Sequence, residues 1–235
     1  MSKRTADAEL PDWERLLSAA ARLQEIVPGA VLVGGTAAAI HAGHRLSMDD
    51  DHVVVDLRER FSSILSDLEA AAGWVTARVS RPVLILGSLD GIETGVRQLI
   101  RKAPLETEEI ERFGVRLTVP TGAEMLRIKG VLILRRNAAR DYVDFAALGD
   151  GLGQEATAAA LRRFDDLYPQ SNGESSLQQL AAQLASPLPY DLEQTDLSEY
   201  RHLESRWHDW NNVASACRRI AVNAFDRICE NGAKS

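Results

Sequence analysis

Two features that lie close together in the chain could do chemistry. At Gly34-Gly35-Thr36 a short apolar run, Val31-Leu32-Val33, ends in two glycines and a hydroxyl residue and leads into the alanine-rich stretch 37–42. Glycines let a backbone come close to a bound group. Backbone N–H groups at the start of a helix, with the helix dipole behind them, favour an anion such as phosphate. Thirteen residues separate Gly35 from Asp49, which opens the run Asp49-Asp50-Asp51-His52 before three valines. Asp49 and Asp51 are two apart, so in an extended backbone they point to the same side. Two carboxylates so placed repel unless a cation lies between them. Mg²⁺ takes such hard oxygen ligands and also binds phosphate oxygens. A phosphate turn beside an acid pair is therefore what metal-assisted phosphoryl transfer requires. Each feature has a plainer meaning alone, a simple turn or a solvated acidic loop, and it is their spacing that favours a site.

The elements that must position these residues can be read from periodicity. Pro11-Asp12 predicts a helix start with Asp12 as N-cap, and Trp13, Leu16, Leu17, Ala20, Leu23 and Ile26 follow at helical spacing up to Pro28-Gly29. Strands are expected at 30–33, 52–57, 74–79, 83–86, 92–99 and 115–119. A helix is expected through Phe61, Ile64, Leu65 and Leu68. Thr121-Gly122-Ala123-Glu124 has the form of a capping box, so a helix should begin there and run through Met125, Ile128, Leu132 and Ile133. Another holds Tyr142, Phe145 and Leu148. Beyond Gly149 strand signals stop. Helices are expected through Leu161, Phe164 and Leu167, through 177–184, and over 203–228 as one long amphipathic helix carrying Trp207, Trp210, Val213, Cys217, Ile220 and Ile228. The expected organisation is an α/β (α+β) domain over 1–150 and a helical C-terminal region over 151–235.

Composition excludes several classes. The 235 residues are 45% hydrophobic and 26% charged, ordinary globular usage that leaves no room for long disorder or a fibrous repeat. There is no run of 18 apolar residues and no apolar segment after Met1-Ser2-Lys3-Arg4, so neither a membrane span nor a signal peptide is expected. Cys217 and Cys229 lack metal-ligand spacing and fit a reducing cytoplasm. The net charge of −7 argues against a general nucleic-acid coat. It does not bear on a local basic strip: Arg127, Lys129, Arg135, Arg136 and Arg140 follow one another with no acid between them, beside the expected anion site. His41 and His44 read as structural, Trp207 and Trp210 as helix-packing residues, and Arg97 as a weaker member of the basic set.

The wording Val33-Gly34-Gly35-Thr36-Ala37, then His44-Arg45-x-Ser47-x-Asp49-x-Asp51, resembles the polymerase-β nucleotidyltransferase signature, and the AbiEii-type branch in particular. Lys129, Arg136 and the run Arg140-Asp141-Tyr142-Val143-Asp144-Phe145 resemble that branch's downstream pattern. The resemblance covers roughly residues 30–150. It implies a minimal nucleotidyltransferase fold, a mixed sheet with flanking helices followed by a helical region. It also implies an enzyme that moves a nucleoside monophosphate from an NTP to an acceptor hydroxyl. Many members are toxins of bacterial toxin–antitoxin pairs, so tRNA as acceptor and a cognate antitoxin as partner are implied as well. In this reading Gly34, Gly35 and Thr36 cradle the triphosphate with Ser47 nearby. Asp49 and Asp51 hold two Mg²⁺ ions (or Mn²⁺). Lys129 neutralises phosphate charge, with Arg136 beside it in the pattern. Asp141 is an active-site base or organiser, and Asp144, three residues on, supports it. Read without the resemblance, Lys129 is a surface lysine on an amphipathic helix and Asp141 an N-cap. Three departures stand out. Asp50 and His52 occupy positions the superfamily makes apolar. Arg140 replaces a lysine. The third carboxylate is not evident, with Glu93 or Asp90 as candidates. Two other functions fit: a small-molecule, antibiotic-type nucleotidyltransferase, and a non-catalytic binding protein on the same fold.

Overall fold

The computed structural model describes residues 6–232, and the side chains of residues 13–224. The chain divides into two compact units. One holds the described residues up to Ala37 together with Ser47–Thr121, and the other Ala38–Leu46 with the described residues from Gly122 on. The boundary expected at residue 150 instead falls inside a helix.

The first unit is built on a five-stranded mixed sheet. Its strands are β1 (Val31–Val33), β2 (Asp50–Val54), β3 (Trp74–Ser80), β4 (Leu84–Leu89) and β5 (Ile92–Gln98), in the order β1-β2-β5-β4-β3. Only β2 and β5 run parallel; the other neighbours are antiparallel. Val54, Val96, Ile85 and Leu89 project to one face of the sheet. Helices α1 (Ala6–Ile26) and α3 (Leu57–Ala70), with Val27 just past α1, supply the rest of that core through Leu23, Val27, Leu57, Phe61, Ile64 and Leu68. Each of these large apolar side chains, buried, contributes about 1.5–3 kcal/mol. Helix α1 begins before Pro11, because Ala6, Ala8, Glu9 and Leu10 are strong helix formers. Strand β2 ends at Val54, and Leu57 already belongs to α3.

A second sheet is a hairpin of β6 (Thr107–Arg112) and β7 (Val115–Pro120). Its turn, Phe113-Gly114, has positive φ at both positions, as a tight two-residue hairpin requires. The side-chain amide of Gln24 holds β7, donating to Thr118 O and accepting from Thr118 N, both at 2.8 Å. Strand β6 gives no periodic signal. Its sequence Thr-Glu-Glu-Ile-Glu-Arg carries one apolar residue and is almost wholly exposed.

Helix α2 (Gly34–Ala42) starts in the first unit and ends in the second. The second unit continues through α4 (Gly122–Arg136), α5 (Ala139–Leu152), α6 (Gln154–Leu161), α7 (Phe164–Leu167), α8 (Ser176–Ala185) and α9 (Trp210–Gly232), with three single 3₁₀ turns between α8 and α9. Helix α9 starts at Trp210, not Leu203; Trp207 ends a 3₁₀ turn and is buried beside it. Ile228 and Cys229 lie outside the described side chains. The core gathers Met125, Ile133, Phe145, Phe164, Leu180, Val213 and Cys217. Gly130 sits mid-helix because a Cβ there would come within 2.9 Å of Leu180 and 3.0 Å of Phe164. Among the described residues no helix is long and apolar enough to cross a membrane.

Candidate active site

In the first unit, β1 feeds directly into α2, so Gly34 and Gly35 are the first residues of the helix rather than a separate turn. Gly34 has φ +77, a conformation that suits glycine and strains other residues. It packs against β2: a Cβ on Gly34 would sit 3.5 Å from both Cβ and Oδ2 of Asp51. Gly34 and Asp51 are therefore neighbours. Pairing fixes this, because Val33 is opposite Asp51 across β1 and β2. Thr36 is fully buried and its hydroxyl donates to the backbone oxygen of Asp49, which fastens the loop before β2 to the helix. Ser47 is buried one turn of chain earlier. Asp49 is exposed just ahead of the strand, and the carboxylate of Asp51 is 37% exposed.

Asp51 has a cationic neighbour among the described residues of this unit. Arg97, on β5, brings Nε to 3.4 Å from Asp51 Oδ1, its own side chain 47% exposed. The parallel register that places Asp51 beside Gly95 also sets Arg97 and Glu93 two residues to either side of that glycine. Glu93 is exposed. Asp90, the other candidate for a third acid, is instead in the β4–β5 turn, ion-paired with Arg22. Among the described residues no three His, Cys, Asp or Glu side chains gather into a metal-holding group. Asp49 and the carboxylate of Asp51 reach solvent, and carboxylate oxygens are the ligand type that hard divalent cations take.

On the opposite face of β2, Asp50 and His52 are buried, with Asp50 Oδ1 and His52 Nδ1 3.0 Å apart. Their alignment leaves both side chains without a formed hydrogen bond, and the hydroxyl of Thr94, paired with Asp50 across β2 and β5, is likewise unpartnered.

The second unit holds a buried charge cluster. Lys129, 2% exposed, places Nζ 2.7 Å from Asp144 Oδ2 and 3.3 Å from Asp141 Oδ1. Arg136 grips Asp141 with two hydrogen bonds, from Nε at 3.1 Å and Nη2 at 3.0 Å. Asp144 also accepts from His44 Nε2 at 2.8 Å and from Arg45 Nε and Nη2 at 2.8 and 3.0 Å. Burial alone would push the carboxyl of Asp144 up. The charges of Lys129 and Arg45, with the hydrogen bonds of His44 and Arg45, hold it well below the ordinary carboxylate range. Three permanent cations thus face two carboxylates, and Arg136, 42% exposed, is the member that reaches solvent. Asp141 is the third residue of α5, not its cap; Asp191 caps the helix instead, accepting from Ala139 N at 2.7 Å.

The basic run therefore splits in two. Arg127 and Lys129 are buried, Arg127 bonded to Glu124 at 2.6 Å, while Arg135, Arg136 and Arg140 are exposed. No local spacing announces that Arg45 serves Asp144, because 99 positions separate them. The pairing of Arg97 with Asp51 follows from strand register alone.

This architecture is the nucleotidyltransferase fold. The chain aligns over 95% of its length with 95% of JHP933 from Helicobacter pylori, at TM-score 0.55 and 16% identity. It aligns over 92% of its length with 95% of a second H. pylori chain, solved as a candidate nucleotidyltransferase, at TM-score 0.51 and 14% identity. No family model matches the chain. Among curated proteins, it is 32% identical over 226 residues to the heme uptake protein MmpL11 of Mycobacterium tuberculosis, a match to 90% of this chain and 22% of that one. The chain thus spans about a fifth of the length of the curated relatives it matches.

Proposed function

We propose that this chain is a Mg²⁺-dependent nucleotidyltransferase of the AbiEii type, the toxin of a toxin–antitoxin pair, which transfers a nucleoside monophosphate from an NTP to a hydroxyl of tRNA. The observation that carries the proposal is the packing of Gly34 against Asp51, on a strand that Asp49 immediately precedes, in a nucleotidyltransferase fold. In this reading the backbone at Gly34 and Gly35 approaches the triphosphate. Asp49 and Asp51 hold the divalent ion, and Arg97 must then yield its place beside Asp51. The ion, when bound, supplies charge neutralisation at the reacting phosphate and a lower pKa for the acceptor hydroxyl. A bond forms between the acceptor oxygen and the α-phosphorus, the bond from that phosphorus to the bridging oxygen breaks, the hydroxyl proton is lost to solvent and pyrophosphate departs. In the second unit Lys129 and Asp141 fix the position of Arg136, whose exposed edge is open to an anion.

A second reading is a non-catalytic module on the same fold. The 32% identity to part of a transport protein favours it, as does the Arg97–Asp51 pair. Incubation with each α-labelled NTP, Mg²⁺ and total bacterial RNA separates the two. Label on tRNA-sized RNA, lost in the Asp49→Ala/Asp51→Ala double variant, is the expected result. Label on small hydroxyl compounds instead would move the acceptor to the antibiotic class. No transfer to any acceptor would leave the module.

A further inference from the structure

The corner between α4 and α5 carries a second feature that the transfer chemistry does not use. Asn137 sits at this corner with φ +48. Its side-chain oxygen accepts from Tyr142 Oη at 2.6 Å and from Gln183 Nε2 at 2.7 Å, and its Nδ2 donates to Leu188 O at 2.8 Å. Its own carbonyl accepts from Tyr190 N at 3.0 Å, and one residue further Asp191 caps α5. The segment 187–191 is thus fastened to the corner at both ends. Within it the side chains alternate. Pro187 and Pro189 are buried, while Leu188 and Tyr190 are each 70% exposed. Prolines and hydrogen bonds hold the backbone, so an aromatic ring is kept in water by construction rather than by looseness. The residues flanking Asn137 are the exposed half of the basic run, Arg135, Arg136 and Arg140.

A rigid exposed tyrosine and leucine beside three arginines, on a chain of net charge −7, match one kind of partner. A membrane surface or an acidic peptide would use the charges but would not need a fixed ring. Single-stranded nucleic acid uses both, since its phosphates meet arginines while its bases stack on an aromatic face. We propose that Tyr190, with Leu188, is the stacking platform for the unpaired end of a nucleic-acid acceptor, and that Arg135 and Arg140 hold its phosphates. This deepens the tRNA reading above and rests on it.

Binding can be tested apart from transfer. The probe is a fluorescent single-stranded RNA 12-mer, titrated with the full chain without NTP and followed by anisotropy over a salt series. Tyr190→Ala should weaken binding about tenfold at every salt concentration, and Tyr190→Trp should restore it. Arg135→Ala/Arg140→Ala should weaken binding and flatten the dependence on log salt by about 1.4, or 0.7 per lost phosphate contact. Equal binding by Tyr190→Ala, or equal binding of inorganic polyphosphate that Tyr190→Ala does not change, would overturn the platform. RNA labelling that survives in Tyr190→Ala with unchanged KM for RNA would also overturn it while leaving the transferase intact. Failure of transfer with the tyrosine-dependent binding preserved would sink the transferase reading and keep the platform.

Discussion

Replacing Asp144 by asparagine would preserve the side chain's size and remove its charge. Lys129 and Arg45 would then lie buried against a neutral amide, and His44 Nε2 would lose its carboxylate. Removing one member of a buried ion pair costs about 3–5 kcal/mol, because the remaining charge stays desolvated. For a chain of this length each kcal/mol moves the melting temperature by about 2–4 °C, so Asp144→Asn should melt about 6–20 °C lower at pH 7. The effect has a pH signature. Asp144 has a folded-state pKa below its unfolded value, which is about 3.9. Its stabilisation is therefore complete above the unfolded pKa and is lost as pH falls towards the folded one. The gap between the two proteins should be constant from pH 7 to 5 and narrow as the solution is acidified below about pH 4. Added salt should leave it in place, since the pair is buried. Calorimetric melts across pH 3–7 measure this. A drop below about 2 °C at pH 7, or a gap that widens in acid, would refute the reasoning.

The first unit offers three more tests. Arg97→Ala should let Mn²⁺ bind two- to fivefold more tightly in isothermal titration, because the side chain competes for Asp51; weaker binding would show that Arg97 does not compete. Gly34→Ala should lower the melting temperature by about 2–8 °C through the strained φ, about 1–2 kcal/mol, and should weaken NTP binding in an equilibrium assay. His52→Val should cost about 1–3 kcal/mol in urea unfolding by leaving the buried polar side chain of Asp50 against an apolar neighbour, whereas Asp50→Val/His52→Val should cost far less. A double variant no more stable than the single one would show that the two side chains are not coupled.

The patterns of the first unit are written locally. Gly34-Gly35 marks the start of α2, and the alternation after Asp49 marks β2. The charge cluster of the second unit is not. On periodicity Lys129 is a surface lysine, and only the folded helices reveal it as the centre of a cluster completed by His44 and Arg45. Thr36, suited to phosphate by type, spends its hydroxyl on Asp49's backbone. Asp141 fits a cap by its place after Asn137-Ala138-Ala139, but Asp191, fifty residues on, takes that task. Strand β6 escapes notice because a nearly fully exposed strand has no apolar alternation to betray it.

Helix α2 has a consequence for dissecting the molecule. Its first turn belongs to the unit of Asp49 and Asp51, while its last residues lead to His44 and Arg45 in the other unit. No single cut yields two self-sufficient pieces. A fragment ending at Thr121 would keep the acid pair but carry residues 38–46 without their helical unit. A fragment starting at Gly122 would deprive Asp144 of three of its four polar contacts. The two units are interleaved in the gene, so insertions, fusions and proteolytic nicks between 38 and 46 should wound both at once, whereas a nick near Gly122 severs a single connection.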